Sequence, residues 1–389
     1  MSAPSGIDGL YVHVPFCDGK CSYCAFYSIP YARERVLEWI QAVGCEAARL
    51  AGETGGITPQ TVYFGGGTPS LLPAAEFQDL ARRLREGLIA PEWDPFRAVE
   101  WTVEANPGAL TEDWIRRGMA LGVNRLSLGV QALQDATLAR LGRRHRVADV
   151  ERAIRMIRRT GLPNWGVDLM ACVPGVARHE WRETLRRAVA WDPKHISVYA
   201  LTPEEGVALS EDIQRGKVRL QDGEQQLEML AMAGEVLCAA GFERYEISNY
   251  AKPGFACRHN LSCWQGGNYI GLGCAAASRV GLKRWRNVPD LDRYTRAAGK
   301  GGLPEQEVDW LTPETDAVER LVFGLRMTAG VSLERIGRET GCSPVRIACW
   351  TEALTRMERE GLVEGRASHW RLTRRGMDLA DHVAVELMP

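Results

Sequence analysis

At 389 residues with 45% hydrophobic side chains, the chain can bury the core of one large domain and a smaller one. A formal net charge of −1 gives no electrostatic case for a nucleic-acid partner, and no apolar run approaches bilayer length, so neither nucleic-acid binding nor an integral membrane segment is expected. The eleven cysteines are odd in number and mostly scattered, and the first ten residues lack the charged and apolar regions of a signal peptide, so a reducing, cytoplasmic compartment is expected.

The first predicted strand, residues 10–14, runs into a segment carrying Cys17, Cys21 and Cys24. Thiolates at Cys-x3-Cys-x2-Cys spacing sit on one short loop, and soft sulfur ligands select zinc, copper(I) or iron–sulfur clusters. The count of three is informative. A structural zinc is closed by four ligands, whereas a cubane held by three thiolates leaves one iron open to a small molecule. A partial zinc site and three merely packed cysteines are the alternatives.

A helical pattern over 36–51 leads to a second strand at 61–64, followed at once by Gly65-Gly66-Gly67-Thr68-Pro69. Such glycines let the backbone approach a ligand and present free N–H and C=O groups, suited to the carboxylate and amino group of an amino acid. Alone, the run also fits a tight turn, and it matches neither the Walker nor the dinucleotide pattern. After a helical stretch at 75–88, a third strand over 99–104 ends in Glu104-Ala105-Asn106-Pro107. Strand 125–129 is followed by Gln131 and Arg143, with a helix over 149–159. Strand 166–170 carries Asp168, and strand 195–200 is followed by Thr202. Six such units predict an α/β fold, a partial (β/α)6 barrel with helices outside and function at the strand carboxyl ends. Taken singly, Glu104, Arg143 and Asp168 read as surface or salt-bridge residues. Gathered on one rim, a carboxylate suits an ammonium or ribose hydroxyls, and an arginine suits a carboxylate.

The carboxyl-terminal part changes texture. Helices are predicted at 315–327, 333–340 and 344–361, then a hairpin from 362–365 and 370–373, then a last helix from Met377. That order is winged-helix-like. Residues 311–389 hold eleven arginines, twelve acids and no lysine, which fits a structural cap over the barrel mouth better than a DNA-binding module. The expected division is a barrel domain over 1–300, including the segment after it, and a carboxyl-terminal domain over 301–389.

The cysteine spacing, followed by an aromatic, resembles the radical S-adenosylmethionine (SAM) signature. The resemblance implies a [4Fe-4S] cluster on Cys17, Cys21 and Cys24, with SAM chelating the open iron and being cleaved to a 5′-deoxyadenosyl radical. The stretches beginning Tyr11-Val12-His13-Val14-Pro15-Phe16-Cys17, Val123-Asn124-Arg125-Leu126 and Tyr245-Glu246-Ile247-Ser248-Asn249-Tyr250 resemble the coproporphyrinogen III oxidase-like branch of that superfamily, and within it the HemW-like heme-chaperone group. Carried over by position, SAM contacts fall on Tyr11, Tyr23, Gly66, Gly67, Thr68, Glu104, Gln131, Arg143 and Asp168, with Thr202 a looser match. The porphyrinogen-oxidising members have a fourth cysteine where this chain has Phe26, and a long arm where only ten residues precede Tyr11. Both differences favour the chaperone group. It implies heme as a further cofactor, acceptor hemoproteins and a cytosolic electron donor as partners. The alternative is a radical enzyme acting on a porphyrinogen or transferring a methyl group. The group's heme motif, His-Asn-x-x-Tyr-Trp, stands here as His259-Asn260-Leu261-Ser262-Cys263-Trp264, which offers an imidazole and a thiol as iron ligands on what reads as a loop.

Overall fold

The computed structural model describes residues 6–89 and 99–388. Its frame is six strands in chain order, β1 (Gly9–Val14), β2 (Thr61–Gly66), β3 (Glu100–Ala105), β4 (Arg125–Gln131), β5 (Asn164–Ala171) and β6 (His195–Ala200), each parallel to the next. These strands are buried along nearly their whole length, as parallel strands covered on both faces must be. Helices cross between them, and the apolar stripes of Arg33–Thr54, Ala74–Gly87 and Val147–Thr160 supply buried residues to one shared core with Trp39, Phe77 and Ile157. Several crossovers stop at a left-handed glycine: Gly55, Gly122 and Gly161 each end a helix at φ between 74° and 108°.

The barrel is open. Beyond β6 the sheet continues antiparallel through Asn249–Ala251 and Glu243–Arg244. On the other side of β1 lies Tyr269–Leu272, again parallel, followed by antiparallel Ala277–Val280, Lys283–Asn287 and Glu305–Trp310. Twelve strands thus form one sheet among the described residues. The sheet runs to Trp310, past the expected division at residue 300.

The sheet curls enough to bring distant strands together at its amino-terminal end. There the helix Arg258–Trp264 closes the lumen. The Glu100 carboxylate of β3 accepts the backbone N–H groups of Arg258 and His259 at 3.1 and 3.2 Å, capping the helix start, where a negative charge is favoured. The preceding Cys257 N–H donates to the Tyr245 hydroxyl, which also meets His195 Nε2 of β6 at 2.8 Å.

A second hydrophobic cluster is built from Leu321, Leu333, Trp350, Leu354, Met357, Leu362 and Trp370. Its helices Pro313–Leu325, Leu333–Thr340 and Pro344–Arg359 and the three-stranded sheet of Val331–Ser332, His369–Leu372 and Val363–Arg366 follow the winged order. Ion pairs fix this unit to the large sheet: Arg279 meets Asp316, both buried, and the partly exposed Glu319, and Arg244 meets Asp378, both partly exposed. Trp264, at the end of the plug helix, carries the Arg326 guanidinium over its ring at 4.5 Å.

Candidate functional site

The cysteine loop leaves β1 and is pinned at its base by a short parallel ribbon, Phe16–Cys17 against Ile29–Pro30. Within it Cys24 N–H donates to the Cys21 carbonyl at 3.3 Å, and Ser22 N–H donates to Leu141 O at 3.1 Å. Among the described residues no three ligating side chains stand in a closed metal geometry. The Cys17, Cys21 and Cys24 thiols nevertheless lie within one another's electrostatic reach, partly exposed. Burial pushes the Cys17 and Cys24 thiols up, so binding a metal there releases protons. Three soft donors on a loop of this size fit an iron–sulfur cluster.

The glycine loop after β2 lies alongside. Gly67 N–H donates to Val14 O at 2.7 Å and Thr68 N–H to Phe16 O at 2.8 Å, while Thr68 Oγ1 is 3.6 Å from Cys17 Sγ. A side chain on Gly67 would stand 2.7 Å from both of those carbonyl oxygens, so the close approach admits only glycine. Gly66 has φ 103°, and a Cβ added to it would stand 2.5 Å from the His13 ring. His13 Nε2 donates to Tyr27 O at 2.9 Å, which leaves Nδ1 to accept from Tyr11 O–H at 3.1 Å. Burial, its largest cause, pushes the His13 pKa down to about 4 and keeps the ring neutral.

Deeper in the lumen two carboxylates face each other across the strands. Glu104 accepts from Tyr63 O–H at 2.8 Å and from Gly66 N–H at 3.1 Å, and burial first, with Asp168 adding to it, pushes its pKa up to about 7. Asp168 accepts from Ser127 Oγ at 3.0 and 3.1 Å and is also raised by burial. Neither forms an ion pair among the described residues, so the pair is suited to a cationic, hydrogen-bond-donating ligand. Arg143 reaches the same side: Nη2 donates to Gly129 O at 3.1 Å and Nη1 points at Cys21 Sγ at 3.6 Å. Tyr23 lies beside Arg143. Gln131, at φ 67°, ends β4 with its amide turned back toward Gly129. Thr202 is exposed just past β6.

Tyr11, Tyr23, Gly66, Gly67, Thr68, Glu104, Gln131, Arg143 and Asp168 therefore gather with the three cysteines around the carboxyl-terminal ends of the strands. His259 and Cys263 do not. Their segment is a helix, not a loop, and stands at the opposite end of the barrel. The His259 ring is buried, its Nδ1 lies 2.9 Å from Thr61 Oγ1, and its centroid is 5.1 Å from that of Tyr63. Burial pushes its pKa down to about 4, and pushes the Cys263 thiol up to about 12. The residues that sequence reasoning passed over are Tyr63, Ser127 and His13, which orient the lumen carboxylates and the glycine loop. Their signal was polar side chains at alternate positions within otherwise apolar strands.

An open barrel of parallel strands with three thiols in the loop after its first strand is the arrangement of the radical SAM superfamily, whose family model matches residues 11–188; the HemN C-terminal domain model matches residues 311–379. Heme chaperone HemW of Synechocystis sp. is 36% identical over 338 residues, 83% of this chain and 78% of that one, and heme chaperone HemW of Bacillus subtilis is 32% identical over 373 residues, 96% and 97%. The chain belongs to the heme chaperone HemW family of radical SAM proteins. In fold it is similar to coproporphyrinogen III oxidase HemN of Escherichia coli, with a TM-score of 0.85 over 99% of this chain and 91% of that one at 20% identity. Membership of the radical SAM superfamily implies a [4Fe-4S] cluster and SAM. Among the described residues no helix is long and apolar enough to cross a membrane.

Proposed function

We propose that the protein is a heme chaperone that binds heme and passes it to acceptor hemoproteins in the cytoplasm, with a SAM-bound cluster attached to that task. The observation that carries this reading is the match over most of the chain to relatives named heme chaperone HemW, joined to Phe26 in place of a fourth cysteine. Phe26 is 67% exposed at the edge of the cysteine loop and offers no ligand or thiol chemistry there.

In this reading Cys17, Cys21 and Cys24 hold the cluster, which when reduced supplies one electron to the SAM sulfonium. Glu104 and Asp168 receive the cationic parts of SAM and its ribose, Arg143 faces its carboxylate, and Gly66, Gly67 and Thr68, whose N–H groups are held by Glu104, Val14 and Phe16, lend carbonyl oxygens. Tyr11, Tyr23, Gln131 and Thr202 complete the rim. The carboxyl-terminal unit backs the plug helix, through Arg326 and Phe323 against Trp264, at the end of the barrel opposite the cysteine loop rather than over its mouth; its division from the large sheet falls near Leu311, because Glu305–Trp310 pairs with Lys283–Asn287.

Heme is assigned to the neighbourhood of His259 and Cys263. Use of His259 Nδ1 requires breaking its contact with Thr61, and use of Cys263 requires removing a proton held by burial. The test measures heme stoichiometry, spectrum and transfer to an apo-hemoprotein, beside turnover of coproporphyrinogen III with SAM and a reductant. Heme binding with transfer and no decarboxylation is expected. Robust decarboxylation would move the protein to the enzyme class.

A further inference from the structure

Residues 140–146, Arg-Leu-Gly-Arg-Arg-His-Arg, hold four arginines and no acid. This run is built into the cluster site. Ser22 of the cysteine loop donates its N–H to Leu141 O and its Oγ to Arg140 O, both at 3.1 Å. A side chain on Gly142 would meet the backbone of Ser22 and Cys21 at 3.0 and 3.4 Å, and one on Gly19 would meet Arg144 Nε at 2.6 Å. The run therefore lies flat against the loop, with no room for an intervening layer.

Only Arg143 turns inward. Arg140, Arg144 and Arg146 are exposed and form no ion pair among the described residues. Arg82, Arg116, Arg152 and Arg159 each meet a carboxylate within 3 Å, whereas Arg155, Arg186 and Arg219 stand alone on the surface among the described residues; what sets the run apart is three such groups against one loop. The acids closest in sequence to the run are already engaged, Asp135 with Val147 N–H and Asp149 with Arg146 N–H and Arg152. Three unpaired guanidinium groups thus flank the one loop to which an electron must be delivered.

We propose that Arg140, Arg144 and Arg146 form the docking face for an acidic, low-potential one-electron carrier protein. The inference rests on the cluster assignment above. The carrier is oxidised by one electron, the [4Fe-4S]2+ cluster is reduced to [4Fe-4S]+, and no bond or proton changes hands. Charge complementarity steers the carrier so that its redox centre meets the loop side of the cluster, and such steering is lost as salt screens it.

The test uses the full-length reconstituted protein and a reduced plant-type [2Fe-2S] ferredoxin as the acidic probe, with photoreduced deazariboflavin as a small donor that needs no docking face. The second-order rate of cluster reduction by ferredoxin is expected to fall about tenfold or more between low and high salt. The triple variant Arg140→Glu, Arg144→Glu, Arg146→Glu should show a similar fall at low salt, with the glutamine versions in between. Iron content and reduction by deazariboflavin should match the parent. Ferredoxin rates insensitive to both salt and the substitutions would overturn the docking face, as would a salt-dependent complex with a DNA duplex that the triple variant abolishes while ferredoxin rates stay unchanged. Failure of the parent to assemble a cluster would instead strike the assignment on which the proposal rests.

Discussion

Tyr63 joins the two ends of the barrel: its hydroxyl donates to Glu104 at 2.8 Å, while its ring lies 5.1 Å from that of His259. The lumen carboxylate and the plug helix therefore share one side chain. Removing the hydroxyl alone separates its two contacts. Tyr63→Phe should keep the ring packing and the plug, weaken SAM binding about five- to tenfold, and shift the acid limb of SAM affinity to higher pH, since Glu104 loses a donor that favours its charged form. Equilibrium binding of SAM to the reconstituted variant across pH 6 to 9 checks this.

The buried acids and histidines oppose each other in their effect on stability. Glu46, on the first helix, accepts from Tyr294 O–H at 2.6 Å, Gly273 N–H at 3.0 Å and Asn287 Nδ2 at 2.7 Å, yet burial pushes it up from 4.5 to about 7. Between those values the folded protein binds the proton and the unfolded chain does not, so this group lowers stability as pH rises through the window. His13, His145 and His259, pushed down from 6.5 to about 4, do the reverse, stabilising above 6.5 and losing that effect as pH falls toward 4. Glu46→Gln isolates the first contribution. Its stability deficit relative to the parent should shrink by about 1 to 2 kcal/mol from pH 5 to pH 8 in chemical denaturation of the apo-protein.

Gly66 tolerates no side chain, because φ is 103° and the His13 ring is held on both edges by Tyr11 and Tyr27. Gly66→Ala should lower apo-protein stability by about 2 to 4 kcal/mol and abolish SAM binding. Gly52→Ala is the control. Nothing lies within 4 Å of its added carbon, and its helical position should make it neutral or slightly stabilising in the same denaturation experiment.

His259→Ala should cost about 2 to 4 kcal/mol in heme-free protein, through the lost stacking on Tyr63, the orphaned Thr61 hydroxyl and the cavity left under β1 and β2. Cys263→Ala should cost about 1 kcal/mol or less. Heme titration of both variants, corrected for the folded fraction, then separates a ligand from a plug. An unchanged denaturation midpoint for His259→Ala would remove the plug role.

The six parallel strands were legible because each is a short, nearly continuous apolar run bounded by turn residues, and the rim followed from them: Glu104 falls at the end of its strand, Asp168 in the later half of its own, and Gly66 where a loop begins. The far side of the sheet was not. Tyr269–Leu272 has four residues, and its parallel pairing with β1 comes from a partner distant in sequence, which no local periodicity records. For the same reason the place of His259 was hidden. A seven-residue helix whose start is capped by Glu100, a carboxylate from another strand, leaves no capping signal in its own sequence. Glu46 likewise reads as one more charge on an amphipathic helix until its three donors come together from residues 273–294.

Those long separations set a timetable for assembly. The strand that launches the cysteine loop has Thr61–Gly66 on one flank and Tyr269–Leu272 on the other, and Asp8 accepts the backbone N–H of Asn268 across 260 residues of chain. The Tyr27 hydroxyl, at the end of the same loop, waits 264 residues for Leu291 N–H. At roughly 5 to 20 residues per second of synthesis, the thiols leave the ribosome on the order of 13 to 50 seconds before their second flank exists. Iron and sulfide delivered in that interval meet an unfinished cradle, so cluster insertion belongs after the chain is nearly complete, and the nascent protein carries three reactive thiols through most of its own translation.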